Sequence, residues 1–349
     1  MRTLSFSVWT PFAGNFDRNA SRAFSVGASA AVLFSCLTAF APGPAHAYDK
    51  FVALGTAYRA GTYFPVGEAL CRRINRDRDE TKIRCLSYET GGSVYNIQAL
   101  TAGELDLAIT QSNLLYNAYH GLGEFEEFGP NKSLRTVVNL YDQPLTVTVH
   151  KDSGIAGFSE LPGKILNIGN EGSGKRALAE KIMSIMGWQR GDFSSVLELS
   201  TGKQARAFCE RKIDIMVETV GIPTPLYKTV EKCGGVFLDL PEKLSSGFKA
   251  LGPFFFDYRI PRSINANNTH DVKTIGIKIV LISRSSVSNE TIRSVASSLM
   301  GERGAFQKLH EALSLTSERS MTEESVHVPL HGGVAEFLSR RQTADGERP

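Results

Sequence analysis

Residues 88–113 read YETGGSVYNIQALTAGELDLAITQSN, and this stretch decides the fold class. It begins at the end of an apolar run, 83–88, that reads as a strand, and passes into Thr90-Gly91-Gly92-Ser93. A helical pattern continues to Leu100, and 105–110 reads as the next strand, ending in Gln111-Ser112-Asn113. Strand, Gly-rich turn, helix and strand in so short a span form the repeating unit of α/β proteins with parallel strands.

The same alternation extends in both directions. Upstream, 51–54 reads as a strand entering a Gly-rich turn, and Val66, Leu70 and Ile74 mark one face of a helix over 66–76. Downstream, LTVTVH at 145–150 alternates and gives way to Lys151-Asp152-Ser153, while IGIKIVLIS at 275–283 gives way to Arg284-Ser285-Ser286. Between these two similar strands lie a strand at 165–168, a helix at 175–186, a strand at 213–217 and an apolar helix or loop around Leu226. The pair reads as two hinge strands of a two-lobed α/β protein. Lobe 1 is then discontinuous, 48–144 plus 284–342, and lobe 2 is 145–283; two consecutive domains are the alternative. Surface helices are expected at 289–299 and 306–313, a last helix at 331–341, and a disordered polar tail at 343–349.

Composition sets the bounds. The chain has 349 residues, about twice a typical domain. Hydrophobic residues at 42% and charged residues at 21% exclude wholesale disorder. A formal net charge of +3 gives no reason to expect nucleic acid as a partner.

Residues 1–47 stand apart. Arg2, Arg18 and Arg22 against Asp17 make a basic leader, the run 23–40 is uncharged, and Ala45-His46-Ala47 follows Pro42-Gly43-Pro44. This reads as a signal peptide cut after Ala47, which places the mature protein in the periplasm. A membrane anchor is the rival reading, but an Ala- and Ser-rich run of this length is marginal for spanning. Cys36 leaves with the leader, and Cys71, Cys85, Cys209 and Cys233 are expected to form two disulfides in an oxidising space. Three pairings are open; Cys71–Cys85 with Cys209–Cys233 closes the shortest loops. No CxxC spacing supports a zinc site.

The chemistry concentrates at strand ends. Gly55-Thr56 and Gly61-Thr62-Tyr63, then Thr90 to Ser93, then Gln111-Ser112, follow strands of the first block. In the second block Gly169 to Gly174 and Glu218-Thr219-Val220-Gly221 do the same. Ligands of open α/β sheets sit beyond such ends, and helix N-termini opening there bind anions. GNEGSGKR at 169–176 approaches a phosphate loop but has Arg176 where the magnesium-holding hydroxyl belongs. Arg176 is instead expected to hold a carboxylate; the alternative leaves Lys175 and Arg176 as solvated first-turn residues. Tyr63 and Tyr95 are candidates to touch a ligand, whereas Phe254, Phe255, Phe256 and Tyr258 read as packing. Neither G-x-S-x-G nor H-E-x-x-H occurs. No catalytic residue, cofactor or metal is expected.

GTAYRAGTYFPVGEAL (55–70), the stretch 88–113, NEGSGKRALAE (170–180), VGIPTPL (220–226) and VPLHGG (328–333) together resemble the TAXI family of solute receptors of tripartite ATP-independent periplasmic (TRAP) transporters. The resemblance covers nearly the whole chain after the leader. It implies a periplasmic-binding-protein fold (type II-like) that closes on a small acidic solute, such as glutamate or a related dicarboxylate, and delivers it to a TRAP membrane permease. Matching motif positions give Thr56, Tyr63, Gly92, Ser93, Asn96, Gln111, Ser112, Ser173, Gly174, Arg176 and Thr219 as binding candidates. Lys175 departs from the Thr usual there, Arg59 from a small residue, and Gly332-Gly333 from Pro-Gly. Two rival functions share the fold: a receptor for a signalling or other uptake system, and an exported enzyme.

Overall fold

The computed structural model describes residues 50–302, 304–322 and 327–346. The leader expected at 1–47, with Cys36, lies outside the described residues. The chain starts with β1 (Lys50–Gly55), α1 (Tyr63–Arg76), a short α2 (Arg78–Thr81), β2 (Ile83–Tyr88), α3 (Ser93–Ala102), β3 (Leu107–Gln111) and α4 (Ser112–His120). Val66, Leu70 and Ile74 of α1 are buried, and Pro65 sits in its first turn, where no intrahelical donor is lost. Helix α3 stops at Gly103, whose φ of 84° is the left-handed ending that glycine adopts without steric cost. Strand β1 pairs in parallel with β2 on one side and β3 on the other.

Strand β4 (Leu134–His150) is much longer than the run expected at 145–150. After it come β5 (Ile165–Asn167), α5 (Gly174–Met186), β6 (Ser195–Leu197), α6 (Thr201–Cys209) and β7 (Ile215–Thr219). Then follow α7 (Pro225–Lys232), β8 (Gly235–Phe237), α8 (Glu242–Leu251), β9 (Phe255–Ile260) and the long β10 (Val272–Arg284). Helices α9 (Asn289–Met300), α10 (Glu318–Thr322) and α11 (Gly332–Gly346) complete the chain.

The two long strands connect two sheet halves. Strand β4 is antiparallel to β10 up to Pro144 and antiparallel to β7 from Leu145 onward. Strand β10 pairs β9 over Val272 to Ile277 and β3 from Ile279. The strand order is β2-β1-β3-β10-β4-β7-β5-β6. The apolar core divides at the same points. Leu54, Leu107, Val138, Ile279 and Leu281 pack into one cluster, and Leu145, Val147, Ile215, Ile275 and Ile277 into another. Successive stretches of β4 and β10 thus anchor in different cores, and these two long strands pair with strands of both sheet halves.

Two disulfides follow the short-loop pairing. Cys71–Cys85 ties α1 to β2, and Cys209–Cys233 ties the end of α6 to the residue after α7. One expected helix is corrected: 306–313 holds two 3₁₀ turns, Phe306–Lys308 and Glu311–Leu313. His310 between them is extended, and its side chain accepts from the Ala312 amide, which starts the second turn afresh. Phe306 and Leu313 are buried, so this is not a surface helix. The tail expected to be disordered from Thr343 begins as helix, because α11 runs to Gly346 and Thr343 donates to the Ser339 carbonyl; 347–349 lie outside the described residues. No helix among the described residues is long and apolar enough to cross a membrane.

Candidate functional site

The carboxyl ends of β1, β2 and β3 face those of β5 and β7, and the loops that leave them enclose one cleft. From the first sheet half it is lined by Thr62, Tyr63, Gly92, Ser93 and Gln111, and from the second by Ser173, Gly174, Lys175, Thr201, Glu218 and Thr219. The space within this partly open cleft is about 50 Å3, against roughly 10–15 Å3 for one water, so it suits a small solute.

Helix starts dominate this lining. Thr62, Gly92, Gln111 and Ser173 are the N-cap residues of α1, α3, α4 and α5, and Thr201 opens α6. Only Ser173 among these caps its helix with a side chain, accepting from the Arg176 amide. The helix dipole leaves a partial positive charge at such N-termini that draws anions, although in α3 the Val94 and Tyr95 amides are already taken up by the Gly172 carbonyl.

The two halves touch across the cleft. Gln111 Nε2 donates to Thr219 Oγ1 at 3.3 Å, Thr62 Oγ1 to the Gly221 carbonyl at 3.3 Å, and Asn170 Nδ2 to the Gly91 carbonyl at 3.0 Å. The Gly172 carbonyl accepts from the Val94 and Tyr95 amides at the start of α3, at 3.0 and 3.2 Å. Such contact depends on glycine: a Cβ at Gly174 would stand 2.5 Å from Gln111 Oε1.

A buried ion pair forms part of the second wall. Lys175 Nζ donates to Glu218 Oε2 at 3.1 Å and to Thr201 Oγ1 at 2.9 Å. Glu218 also accepts from Gln204 Nε2 and from the Thr219 amide, both at 2.9 Å. The lysine stem lies over Gly169, where φ is 98° and a Cβ would come within 2.6 Å of Lys175 Cγ. Burial holds the Lys175 ammonium below its usual pKa, and the Glu218 carboxylate opposes that shift. On the first wall the Tyr63 hydroxyl meets Ser93 Oγ at 3.1 Å, and burial pushes the phenol upward.

Of the expected binding residues, Tyr63, Gly92, Ser93, Gln111, Ser173, Gly174 and Thr219 come together here. Four do not. Thr56 is fully buried and donates to the Tyr88 carbonyl at 2.6 Å. Asn96 joins strands from inside, donating to the Thr56 and Ile109 carbonyls at 2.7 and 2.8 Å. Ser112 is buried at the start of α4, away from the lining. Arg176 turns outward, where Glu180 Oε1 and Glu198 Oε2 hold its guanidinium at 3.0 and 2.9 Å. The reading of Lys175 as a solvated first-turn residue also fails, since it is 4% exposed.

Lining residues absent from the binding candidates include Gln143 and Thr201, and also Thr62 and the acid of the pair, Glu218, which stood only within the strand-end stretches. Glu218 carried a signal, because a lone carboxylate inside the apolar strand IMVET must find a partner when buried. Tyr95 is half-exposed beside Gly91 and Gly172 and does not line the cleft. Phe254 and Phe255 pack in the core, ring centroids 5.1 Å apart. No group of three or more His, Cys, Asp or Glu suited to a metal ion occurs among the described residues.

A model of the NMT1-like family matches residues 54–339. Among solved structures, the periplasmic binding protein BugD superposes with a TM-score of 0.52 at 11% identity, covering 85% of this chain and 94% of its own. The binding-protein component of a phosphonate ABC transporter from Pseudomonas aeruginosa gives 0.50 at 11% identity, over 86% and 100%. MatC from Rhodopseudomonas palustris, solved with malate bound, gives 0.50 at 11% identity, over 84% and 98%. At these identities the likeness is one of fold, the mixed α/β, two-lobed architecture of periplasmic binding proteins.

Proposed function

This chain belongs to the NMT1-like family, and from that premise we propose that it is a periplasmic solute receptor, exported by the leader at 1–47. In this reading it captures a small anionic solute in the cleft and hands it to a membrane permease, of the TRAP type that the TAXI resemblance implies. The observation that carries the reading is the convergence of helix starts from both sheet halves on one cleft. Amide donors and uncharged side chains there hold an anion without reacting with it, so the protein acts as a binder and not as a catalyst.

Closure follows from the sheet. The lobes divide where β4 changes partner, between Pro144 and Leu145, and where β10 does so, between Ile277 and Ile279. On β10 this lies inside the span expected for lobe 2 at 145–283. Rotation about these points opens the cleft, and a solute touching both walls favours the closed form by its extra contacts there. The binding residues of this proposal are Thr62, Tyr63, Ser93, Gln111, Ser173, Lys175 and Thr219. Mass spectrometry of solute released from protein purified without unfolding tests the reading, followed by titration of that solute into refolded protein. Stoichiometric binding of one small acid supports it; turnover of the solute contradicts it.

A further inference from the structure

We propose that the cleft selects a small monocarboxylate whose other end donates hydrogen bonds, in place of the dicarboxylates that the family resemblance implies, and that the Lys175–Glu218 pair sets this choice. The inference rests on the cleft being the solute site. Lys175 and Glu218 are the only charged side chains among the described residues lining it, and they stand 3.1 Å apart, so the formal charge of the lining is zero. The ammonium has three donors, of which Thr201 and Glu218 engage two. One remains for a single carboxylate, helped by the partial charges of the helix starts.

A second carboxylate would meet no cation. Beside its hydroxyls and helix starts, the opposite wall holds two unmet acceptors: the side-chain oxygens of Gln111 and Gln143, residues 1% and 2% exposed, are buried without a hydrogen-bond partner. Gln111 is oriented by its donation to Thr219, which leaves its oxygen free. A buried acceptor lacking a donor is costly, and a carboxylate beside it is costlier, whereas a hydroxyl or ammonium on the solute satisfies it. The solute therefore places its carboxylate toward Lys175 and its donor toward the glutamines.

Titration calorimetry on protein freed of bound solute by unfolding and refolding tests this, with L-lactate and L-alanine against succinate and L-malate. The expected result is at least tenfold tighter binding of one of the first two than of either dicarboxylate. Glu218→Gln leaves the ammonium uncompensated and is expected to narrow that ratio at least threefold. Dicarboxylates binding the wild-type protein as tightly as the monocarboxylates overturn the inference and leave the receptor reading intact, as does an unchanged ratio in folded Glu218→Gln. If that variant does not fold, the wild-type ratio decides alone. Binding of none of the four also overturns the inference, and the receptor reading then stands or falls on the co-purified solute.

Discussion

Gln111 and Thr219 end two strands separated by 108 residues of sequence, and their side chains meet across the cleft, Gln111 Nε2 donating to Thr219 Oγ1 at 3.3 Å. Gln111 is paired with Ile279 of β10 and Thr219 with Leu145 of β4, so the bond links the two sheet halves beside the points where those strands cross between them. Thr219→Val removes the acceptor while keeping the volume. One neutral hydrogen bond contributes about 0.5–1.5 kcal/mol, so solute affinity should fall about two- to tenfold. Titration of the co-purified solute reads this, and unchanged affinity would remove the bond from the closed state.

Arg176 gives a contrasting case. Its guanidinium is satisfied by Glu180 and Glu198 on the outer face of α5. Arg176→Ala should leave solute affinity within about twofold, because pairs this exposed contribute little and lie off the cleft. A tenfold loss would place the guanidinium in the site after all.

The Lys175–Glu218 pair makes a stability prediction. Lys175→Met leaves the Glu218 carboxylate buried with only neutral donors, and breaking such a pair costs about 3–5 kcal/mol. Lys175→Met with Glu218→Leu removes both charges and should recover a large part of that loss. Denaturant unfolding of the single and double variants checks it; losses that simply add would show that the charges do not interact.

Lys175 and Arg176 also show what the sequence does and does not disclose. Both belong to the first turn of α5, and adjacent helical positions point about 100° apart, so local pattern alone leaves open which one faces the cleft. The answer lies in Gly169, whose missing Cβ makes room for the lysine stem, a contact across six residues that no periodicity encodes. Strands, Gly-bordered turns and the short-loop disulfides were legible because apolar alternation, punctuation by glycine and loop length are local properties. Asn96 was misread because a polar residue beside a glycine turn looks alike whether it faces a ligand or bonds to two strands from within. The first part of β4 was missed because Asn139, Asp142, Gln143 and Pro144 interrupt its apolar run, while pairing with β10 holds it extended.

Acid should loosen the fold. Burial holds His150, His310, His327 and His331 below the ordinary histidine value of 6.5. The unfolded chain then binds more protons once the pH falls past 6.5, so stability is fully present above that value and is lost as pH drops toward the lowered ones. His331 accepts from the Gly333 amide through Nδ1 at 3.1 Å and meets the Arg284 carbonyl through Nε2 at 3.2 Å, an arrangement that needs the neutral ring. Melting temperature should therefore decline between about pH 7 and pH 5, and His331→Gln should decline less steeply. A flat profile in the parent protein would contradict the sign.

The most direct measurement is a crystal structure of the protein purified with its own solute. The account requires one small acid in the cleft, bonded to Lys175 or the start of α5 from one sheet half and to the start of α1, α3 or α4 from the other. A solute held by one half alone, or bound on another surface while the cleft stays closed, would contradict it.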